Sequence, residues 1–192
     1  MILTKSIIII YYNLKMATIR PFDMFDTLKF NNVNLDCLTE TFYTSFYGKY
    51  LNTWKEYCAV SEDSFSTIQG YMLGKVQGNR HNEISKDHHG HVSAVTVAPQ
   101  FRRQGLARAL MDCLEEVTIK MHDGFFVDLF VRPSNKIAVG MYESLGYCVY
   151  RTVEDYYNGE DAYDMRKAMP RDVNKETEKT SKTRIKPHEL EY

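Results

Sequence analysis

Residues 97–111, VAPQFRRQGLARALM, join a predicted strand to a predicted helix. The strand before them, residues 91–97, alternates apolar and polar positions, and the helix after them places Leu106, Leu110 and Leu114 on one face. The first N–H groups of a helix lack partners inside it and carry the positive end of the helix dipole, so they stabilise an anion. Two adjacent arginines and a glycine at this junction therefore allow two interpretations, an ordinary connection with solvated arginines or a phosphate-binding loop.

Length, charge and cysteine usage limit the class of protein. A chain of 192 residues fits one domain with a large core. Its formal net charge of -1 gives no support for a nucleic-acid-binding or anionic membrane surface, so we expect no direct nucleic-acid specificity. The cysteines are far apart and form no CxxC pair, which is typical of reduced thiols. We therefore expect a cytoplasmic protein that binds a small anion or another protein.

Three segments of the chain differ in pattern. Residues 1–15 contain an apolar run that is too short to span a bilayer and has no signal-cleavage pattern, so we interpret them as an N-terminal extension outside the fold. Residues 16–169 carry strand and helix periodicity and form the predicted domain. Residues 170–192 are charged, with both signs, and are predicted to be a largely disordered tail.

Alternating periodicities predict a mixed α/β domain. The predicted strands cover residues 17–22, 57–60, 68–76, 91–97, 125–131, 147–155 and 162–169. Predicted helices follow Asp23, carry Phe46 and Trp54, begin at Gln104 or Gly105, and begin at Asn135. Gly146 stands in the C-cap position of the last helix. The loop from Gly78 to His89 is predicted to be polar and exposed.

Several nucleotide-binding and metal-binding motifs are absent from the sequence. There is no GxxxxGK[ST] and no GxGxxG after a first strand, which argues against a Walker-type site and a dinucleotide fold. His88, His89 and His91, with His81 nearby, form neither a helical i,i+4 ligand pair nor part of a cysteine set. We therefore predict no metal.

Separate motifs, in the same order, resemble one protein family. RRQGLA at 102–107 resembles the acetyl-CoA pyrophosphate loop of the GNAT acetyltransferases, and NKIAVGMYESLGY at 135–147 resembles their second signature. HGHVSAVTVAPQFRRQGLA, GFFVDLFVRPSN and YRTVEDYY further resemble the catalytic subunits of NatB-type amino-terminal acetyltransferases, over about residues 16–169. Ser93 and Phe42 depart from the more usual threonine and tyrosine. The resemblance implies a GNAT fold, a mixed central sheet of about seven strands flanked by about four helices.

The resemblance also implies acetyl-CoA as the co-substrate. Tyr142 is then the general acid, because a phenol with a pKa of about 10 stays protonated and can donate to the departing thiolate. The alternative for Tyr142 is a tyrosine packed in the core. Asn135 caps its helix by position and contacts the cofactor by resemblance. The implied cofactor-binding residues are Val95, Val97, Arg102, Arg103, Gln104, Gly105, Leu106, Ala107, Asn135 and Tyr142.

The implied reaction is direct acetyl transfer, in a ternary complex, to protein N termini that begin with Met followed by Asp, Glu, Asn or Gln. Such substrates need an apolar pocket for the methionine and polar groups for the second side chain. His91 is a second catalytic candidate, as a water-mediated base or a peptide contact. The predicted substrate-binding residues are Glu40, Phe42, His91, Ser93, Tyr156 and Tyr157. The two tyrosines are alternatively ordinary aromatic residues at a strand end.

Catalytic subunits of this family work with a helical-repeat auxiliary subunit at the ribosome, on nascent-chain N termini. The first two predicted helices are rich in aromatic residues and would supply a docking face for this partner, although many of these residues must belong to the core instead. The aromatic residues are Phe25, Phe30, Phe46, Tyr47 and Trp54. Two other functions stay open: a GNAT enzyme that acetylates lysine or a small molecule, and a non-catalytic module that binds acyl-CoA. The sequence leaves the general base, the preference among second residues and the role of residues 1–15 undecided.

Overall fold

The computed structural model describes residues 12–14, 17–37, 39–78, 86–181 and 183–190. The strands within them are β1 (Tyr12–Leu14), β2 (Ala17–Pro21), β3 (Cys58–Glu62), β4 (Ile68–Gln77), β5 (His89–Val97), β6 (Phe126–Val131), β7 (Cys148–Val153), β8 (Ala162–Ala168) and β9 (Arg184–Ile185). The α-helices are α1 (Asn31–Asn34), α2 (Thr44–Thr53), α3 (Leu106–His122) and α4 (Lys136–Ser144). Short 3-10 turns cover Met24–Leu28, Lys55–Tyr57, Pro99–Phe101, Glu176–Glu178 and Pro187–Glu189.

The strands of the described residues form a mixed sheet in the order β1-β2-β3-β4-β5-β6-β8-β7-β9. The pairs β5–β6 and β7–β9 are parallel, and β1–β2, β2–β3, β3–β4, β6–β8 and β7–β8 are antiparallel. The predicted mixed α/β fold with about four helices is confirmed. The seven predicted strands are all present, and the two further strands, β1 and β9, come from the terminal segments.

The chain forms two compact units. Among the described residues, the first unit comprises 12–14, 17–37, 39–74 and 94–114, and the second unit comprises 75–78, 86–93, 115–181 and 183–190. Each unit has its own buried core, described below.

The core of the first unit is largely aromatic. The ring of Phe30 lies 5.4 Å from Tyr47 and 5.6 Å from Tyr71, and Phe22 meets the Phe30 ring edge-on. The Tyr71 hydroxyl donates to Asn34 Oδ1 at 2.8 Å, so burial leaves this polar group paired. Each aromatic pair adds about 0.5–1.5 kcal/mol to the burial of its apolar area. These contacts fix α1 and α2 on strands β2 and β4.

The core of the second unit lies on one face of β6 and β8. Val127, Leu129 and Met165 are fully or almost fully buried, as the continuous apolar run of β6 predicts. Because side chains alternate across a strand, Asp128 and Phe130 lie on the opposite face. Asp128 is also buried, and a charged residue in that position requires a partner.

The described part of the charged tail is ordered, which corrects the prediction for residues 170–181 and 183–190. Strand β9 pairs with β7, and the side chain of Leu190 is buried. Asp172 accepts hydrogen bonds from the backbone N–H groups of Glu176 and Thr177, both at 2.9 Å, and so closes a turn. A few widely spaced anchors hold this segment, and average composition does not reveal them.

The predicted N-terminal extension also contributes to the sheet. Strand β1 pairs with β2, with Tyr12 opposite Ile19 and Leu14 opposite Ala17, so residues 12–14 belong to the fold. This pairing covers the edge of β2, which would otherwise present unpaired backbone groups. Residues 1–11, 15 and 16 lie outside the described residues.

The prediction of an exposed loop over residues 78–89 is also corrected. His88 and His89 are buried, and β5 begins at His89. Residues 79–85 are outside the described part.

Candidate active site

The loop between β5 and α3 turns through left-handed backbone conformations, and no neighbouring atoms crowd its glycine. Arg103 and Gly105 have φ angles of 65° and 83°, in the left-handed region. A Cβ atom built at Gly105 would meet no atom within 4 Å, so the backbone conformation, not crowding, favours glycine there. This glycine directly precedes α3, whose first amides are available to an anion. The loop therefore has the arrangement that binds phosphate groups.

The two arginines of this loop have different surroundings. Arg102 Nε donates to the carbonyl of Val97 at 3.0 Å, and its Nη2 donates to the carboxylate of Asp36. Arg102 therefore ties the loop to the end of β5 and to the segment after α1. The residues Arg103 and Gln104 are exposed, so their side chains can reach a phosphate without breaking such contacts.

The end of β5 in the first unit packs closely against β4. A Cβ at Gly70 would lie 2.5 Å from the carbonyl oxygen of Thr96, so only glycine allows this approach. The hydroxyl of Thr96 pairs with that of Thr39 at 2.7 Å. Val97 is buried and Val95 is half-buried on the other face of the strand. The predicted cofactor strand is thus rigidly placed relative to the loop after α1.

Two of the predicted substrate residues, Phe42 and Glu40, lie in the first unit. The Phe42 side chain packs against neighbouring aromatic rings, whereas the Glu40 side chain is exposed. The Phe42 ring stacks on Phe46 with centroids 4.1 Å apart and an interplanar angle of 14°. Phe42 and Phe46 are partly buried against the aromatic core. Glu40 lies two residues before Phe42 in the chain, and its side chain is exposed.

A buried histidine–aspartate pair lies in the second unit. His91 and Asp128 are register partners in the parallel pair β5–β6, and His91 Nδ1 lies 2.8 Å from Asp128 Oδ1. His89 Nε2 lies 3.6 Å from the other carboxylate oxygen. Asp128 was not among the residues that the motifs indicate. The sequence gives one indication of its role, because Asp128 is the lone acidic residue in the apolar run FFVDLFV. Buried charged residues are rare unless they are paired.

The charge of Asp128 determines which nitrogen of His91 carries a proton. Burial alone would raise the pKa of Asp128, but His89, His91 and Arg166 outweigh it and lower the pKa to about 2. The carboxylate is therefore ionised at neutral pH and can only accept a hydrogen bond. His91 Nδ1 is then the donor, and in the neutral ring Nε2 is left as an acceptor.

Tyr142 lies on the buried face of α4. Asn135 Oδ1 accepts a hydrogen bond from Ala138 N at 3.1 Å, which confirms the predicted cap, and Gly146 ends the helix with a φ of 94°. Burial raises the pKa of Tyr142 to about 12. The Tyr142 phenol thus stays protonated at neutral pH. The Tyr142 ring meets the Tyr147 ring edge-on at 6.0 Å, and the Tyr147 hydroxyl donates a hydrogen bond to Glu115.

Tyr156 and Tyr157 lie on the loop of residues 154–161 between β7 and β8. Tyr157 Oη donates to the carbonyl of Phe130 at 3.1 Å, and the Tyr156 ring lies 4.8 Å from the Phe130 ring. The Phe130 ring also lies near His91, with ring centroids 5.5 Å apart. The structure therefore brings His91 and Tyr156 to one aromatic residue, Phe130, which the motifs did not single out.

The described residues offer no metal site and no membrane span. No group of three or more histidine, cysteine, aspartate or glutamate side chains is arranged to hold a metal in the described ranges. None of the helices found there is both long enough and apolar enough to cross a bilayer. His81 lies outside the described residues.

The mixed sheet and the glycine loop before α3 define the class of protein. The profile of the acetyltransferase (GNAT) family matches residues 27–147, and the chain belongs to this family. It is similar to N-alpha-acetyltransferase 20 of Dictyostelium discoideum, with 55% identity over 84% of this chain and 91% of the relative. It is also similar to the N-terminal acetyltransferase B complex catalytic subunit NAA20 of Arabidopsis thaliana, with 51% identity over 92% of this chain and 99% of the relative.

Solved structures agree with this assignment. Chaetomium thermophilum Naa20 in complex with a bisubstrate analogue superposes with a TM-score of 0.80 and 40% identity, covering 89% of this chain and 97% of that one. The NatB acetyltransferase complex bound to CoA and MES contains a chain with a TM-score of 0.72 and 42% identity, covering 79% of this chain and 99% of that one. The predicted GNAT fold and family resemblance are confirmed.

Proposed function

We propose that this chain is the catalytic subunit of a NatB-like complex. It transfers acetyl from acetyl-CoA to the α-amino group of protein N termini that begin Met-Asp, Met-Glu, Met-Asn or Met-Gln. The observation that carries this proposal is the identity, over most of the chain, to two relatives: 51% to one named as a catalytic subunit of the N-terminal acetyltransferase B complex, and 55% to one named as an N-alpha-acetyltransferase. The open phosphate-binding backbone at Gly105 supports the use of acetyl-CoA.

In the proposed reaction the amine attacks the thioester directly. The nitrogen lone pair forms the new C–N bond, the C–S bond breaks, and the amine loses one proton while the thiolate gains one. An α-amino group with a pKa of about 7.7–8.0 is partly neutral at pH 7, so a strong base is not required. Backbone amides of β5 near Val95 and Val97 hold the thioester oxygen. Tyr142 donates its proton to the leaving sulfur.

His91 is proposed to take the amine proton through water or to contact the peptide. Its orientation supports this role, because the ionised Asp128 accepts a hydrogen bond from Nδ1, so that Nε2 is the acceptor when the ring is neutral. Asp128 is therefore a positioning residue that acts through His91. The adjacent Phe130 and Tyr156 supply an aromatic surface for the peptide, with Ser93 on the same strand as His91.

The proposed partner is a helical-repeat auxiliary subunit that brings the enzyme to nascent chains at the cytoplasmic ribosome. Phe30 and Tyr47 are buried in the core, so the proposed docking face does not include them. Phe25 and Leu28, on the 3-10 turn after β2, are instead 74% and 76% exposed. Two large apolar side chains at such exposure support a protein contact there.

Removing the charge of Arg103 should weaken acetyl-CoA binding selectively. We expect Arg103→Ala to raise the KM for acetyl-CoA about tenfold, because one charge-assisted hydrogen bond contributes about 1.5–3 kcal/mol. The peptide KM should stay within about twofold. Lys120→Ala is the matched control, since it removes a positive charge from an exposed pair near the far end of α3. Equal effects of both variants on the acetyl-CoA KM would contradict the assignment of Arg103.

Peptide acetylation assays distinguish the proposed function from its alternatives. We expect acetylation of peptides that begin Met-Asp and Met-Glu, and at least about tenfold lower kcat/KM for Met-Leu and Ser-Glu. The assay is run with and without an auxiliary subunit. Activity confined to internal lysines or small amines would indicate a different GNAT enzyme. Acyl-CoA binding without turnover on any amine would indicate a non-catalytic module.

A further inference from the structure

The C-terminal segment of residues 184–190 contacts the loop of residues 154–161. Strand β9 pairs in parallel with β7, with Thr152 opposite Arg184 and Val153 opposite Ile185. The backbone pairing continues past the end of β7, since Glu154 N donates to the carbonyl of Ile185 at 2.8 Å. The segment is therefore fastened to the first residue of the loop.

Arg184 links both ends of this loop. Its Nε donates to Glu154 Oε1 at 3.0 Å and its Nη2 donates to Asp161 Oδ2 at 2.6 Å. Asp161 also accepts a hydrogen bond from Asp155 N at 3.1 Å, and Asp155 accepts one from Gly159 N at 2.6 Å. One guanidinium group thus closes a ring of contacts around the loop. An isolated exposed ion pair contributes little, but a network that joins two chain positions holds their separation.

An apolar cluster holds the loop from its inner side. Leu190 is buried together with Val153 and Ala162, and Ile185, Phe130 and the two loop tyrosines pack against this cluster. Asp155 and Asn158 have φ angles of 49° and 37°, in the left-handed region. Aspartate and asparagine adopt this region more readily than other non-glycine residues, which suits both positions to a tight loop. Segment 184–190 packs against this loop through Ile185 and Leu190.

The same contacts continue to the proposed active site. Tyr156 and Tyr157 contact Phe130, and the Phe130 ring lies 5.5 Å from His91. A loss of order in residues 154–161 would therefore move the aromatic surface beside His91. None of the contacts described above involves the phosphate-binding loop at Gly105, whose residues belong to the first unit.

We infer that residues 184–190 position the substrate loop, with Arg184 and Leu190 as positioning residues for peptide binding. This inference rests on the proposed function, because it assigns a role in recognising the acceptor peptide. The segment sets the affinity for the N-terminal peptide and has no part in binding acetyl-CoA.

The test compares Arg184→Ala and Leu190→Ala with the unchanged full chain, in the complex with the auxiliary subunit. We expect each variant to raise the KM for a Met-Asp peptide about 3- to 10-fold, since small misplacements of positioning residues have effects of up to about 100-fold. The acetyl-CoA KM and kcat should stay within about twofold. Hydrogen exchange should become faster in the amides of residues 154–161, measured on the same proteins.

Arg171→Ala and Val173→Ala serve as matched controls from the same tail. Arg171 contacts Asp123 and the Val173 side chain is exposed, so neither residue holds the loop. An unchanged peptide KM in both test variants overturns the inference, and so does a parallel rise in both KM values. If the unchanged chain acetylates no N-terminal peptide, the proposed function fails instead. The exchange data then still report whether the tail orders the loop.

Discussion

Tyr142→Phe should lower kcat by about 100- to 1000-fold while the fold is retained. A positioned general acid contributes about 10²- to 10⁴-fold to the rate, and the substitution removes the hydroxyl group that would donate a proton to the departing thiolate. The buried ring and its edge contact with Tyr147 remain, so packing changes little. Because burial raises the pKa of Tyr142 to about 12, the phenol is protonated at every pH well below that value. Deprotonation of Tyr142 should therefore not limit activity between pH 6 and pH 10.

Single-turnover and steady-state kinetics at saturating peptide and acetyl-CoA measure this effect. Tyr163→Phe is the control, because it removes the same hydroxyl from a half-buried tyrosine of β8 that has no proposed role. Thermal unfolding of both variants checks the fold. Full turnover by a folded Tyr142→Phe enzyme would assign Tyr142 to the core and would require another proton donor.

Asp128→Asn should lower kcat/KM about 10- to 100-fold and also destabilise the second unit. The amide is uncharged and cannot fix His91 Nδ1 as a donor as firmly as a carboxylate does, so the orientation of the ring is lost. The expected rate effect lies at the lower end of general acid–base contributions, because a partly neutral amine needs only a weak base. The measured quantities are kcat/KM for the Met-Asp peptide and the free energy of unfolding.

The effect of Asp128 on stability should depend on pH in a defined way. Folding lowers the pKa of Asp128, because His89, His91 and Arg166 favour its ionised form. A lowered pKa stabilises the fold above the unfolded value, so this contribution is complete at pH 5–7. It is lost as the pH falls below about 4 toward 2. Asp123→Asn, which removes an exposed carboxylate of the same unit, should show no such difference. If the difference in the free energy of unfolding between Asp128→Asn and the unchanged protein did not change with pH, this explanation would be contradicted.

Local patterns predicted the elements of the fold and the phosphate-binding loop. Periodicity located all seven strands of the predicted domain, and capping chemistry placed Asn135 and Gly146 at the ends of α4. These features depend on neighbours within a few residues, which a sequence displays directly. The roles assigned to Arg103, Tyr142 and His91 come from the family resemblance and stay predictions.

Those local patterns could not predict contacts between residues that are far apart in the sequence. Asp128 meets His91 through strand register, and 37 positions separate the two residues. Arg102 contacts Asp36, at a separation of 66 positions, so the motif alone could not distinguish it from Arg103. The tail appears charged and featureless, yet Leu190 and Asp172 anchor it. In each case one or two specific partners determine the structure, and average composition hides them.

The parallel pairing of β5 with β6 has a consequence for the order of folding. To align His91 with Asp128 the chain must close a loop of 37 residues, through α3, at an entropic cost of about 3 kcal/mol beyond a constant term. The neighbouring β7–β8 hairpin closes across eight residues, 154–161, at a cost of about 2 kcal/mol on the same scale. Non-local parallel pairs form slowly for this reason. We therefore expect the histidine–aspartate pair to form after the hairpin when the chain refolds, so any activity that depends on His91 should return later than the hairpin does.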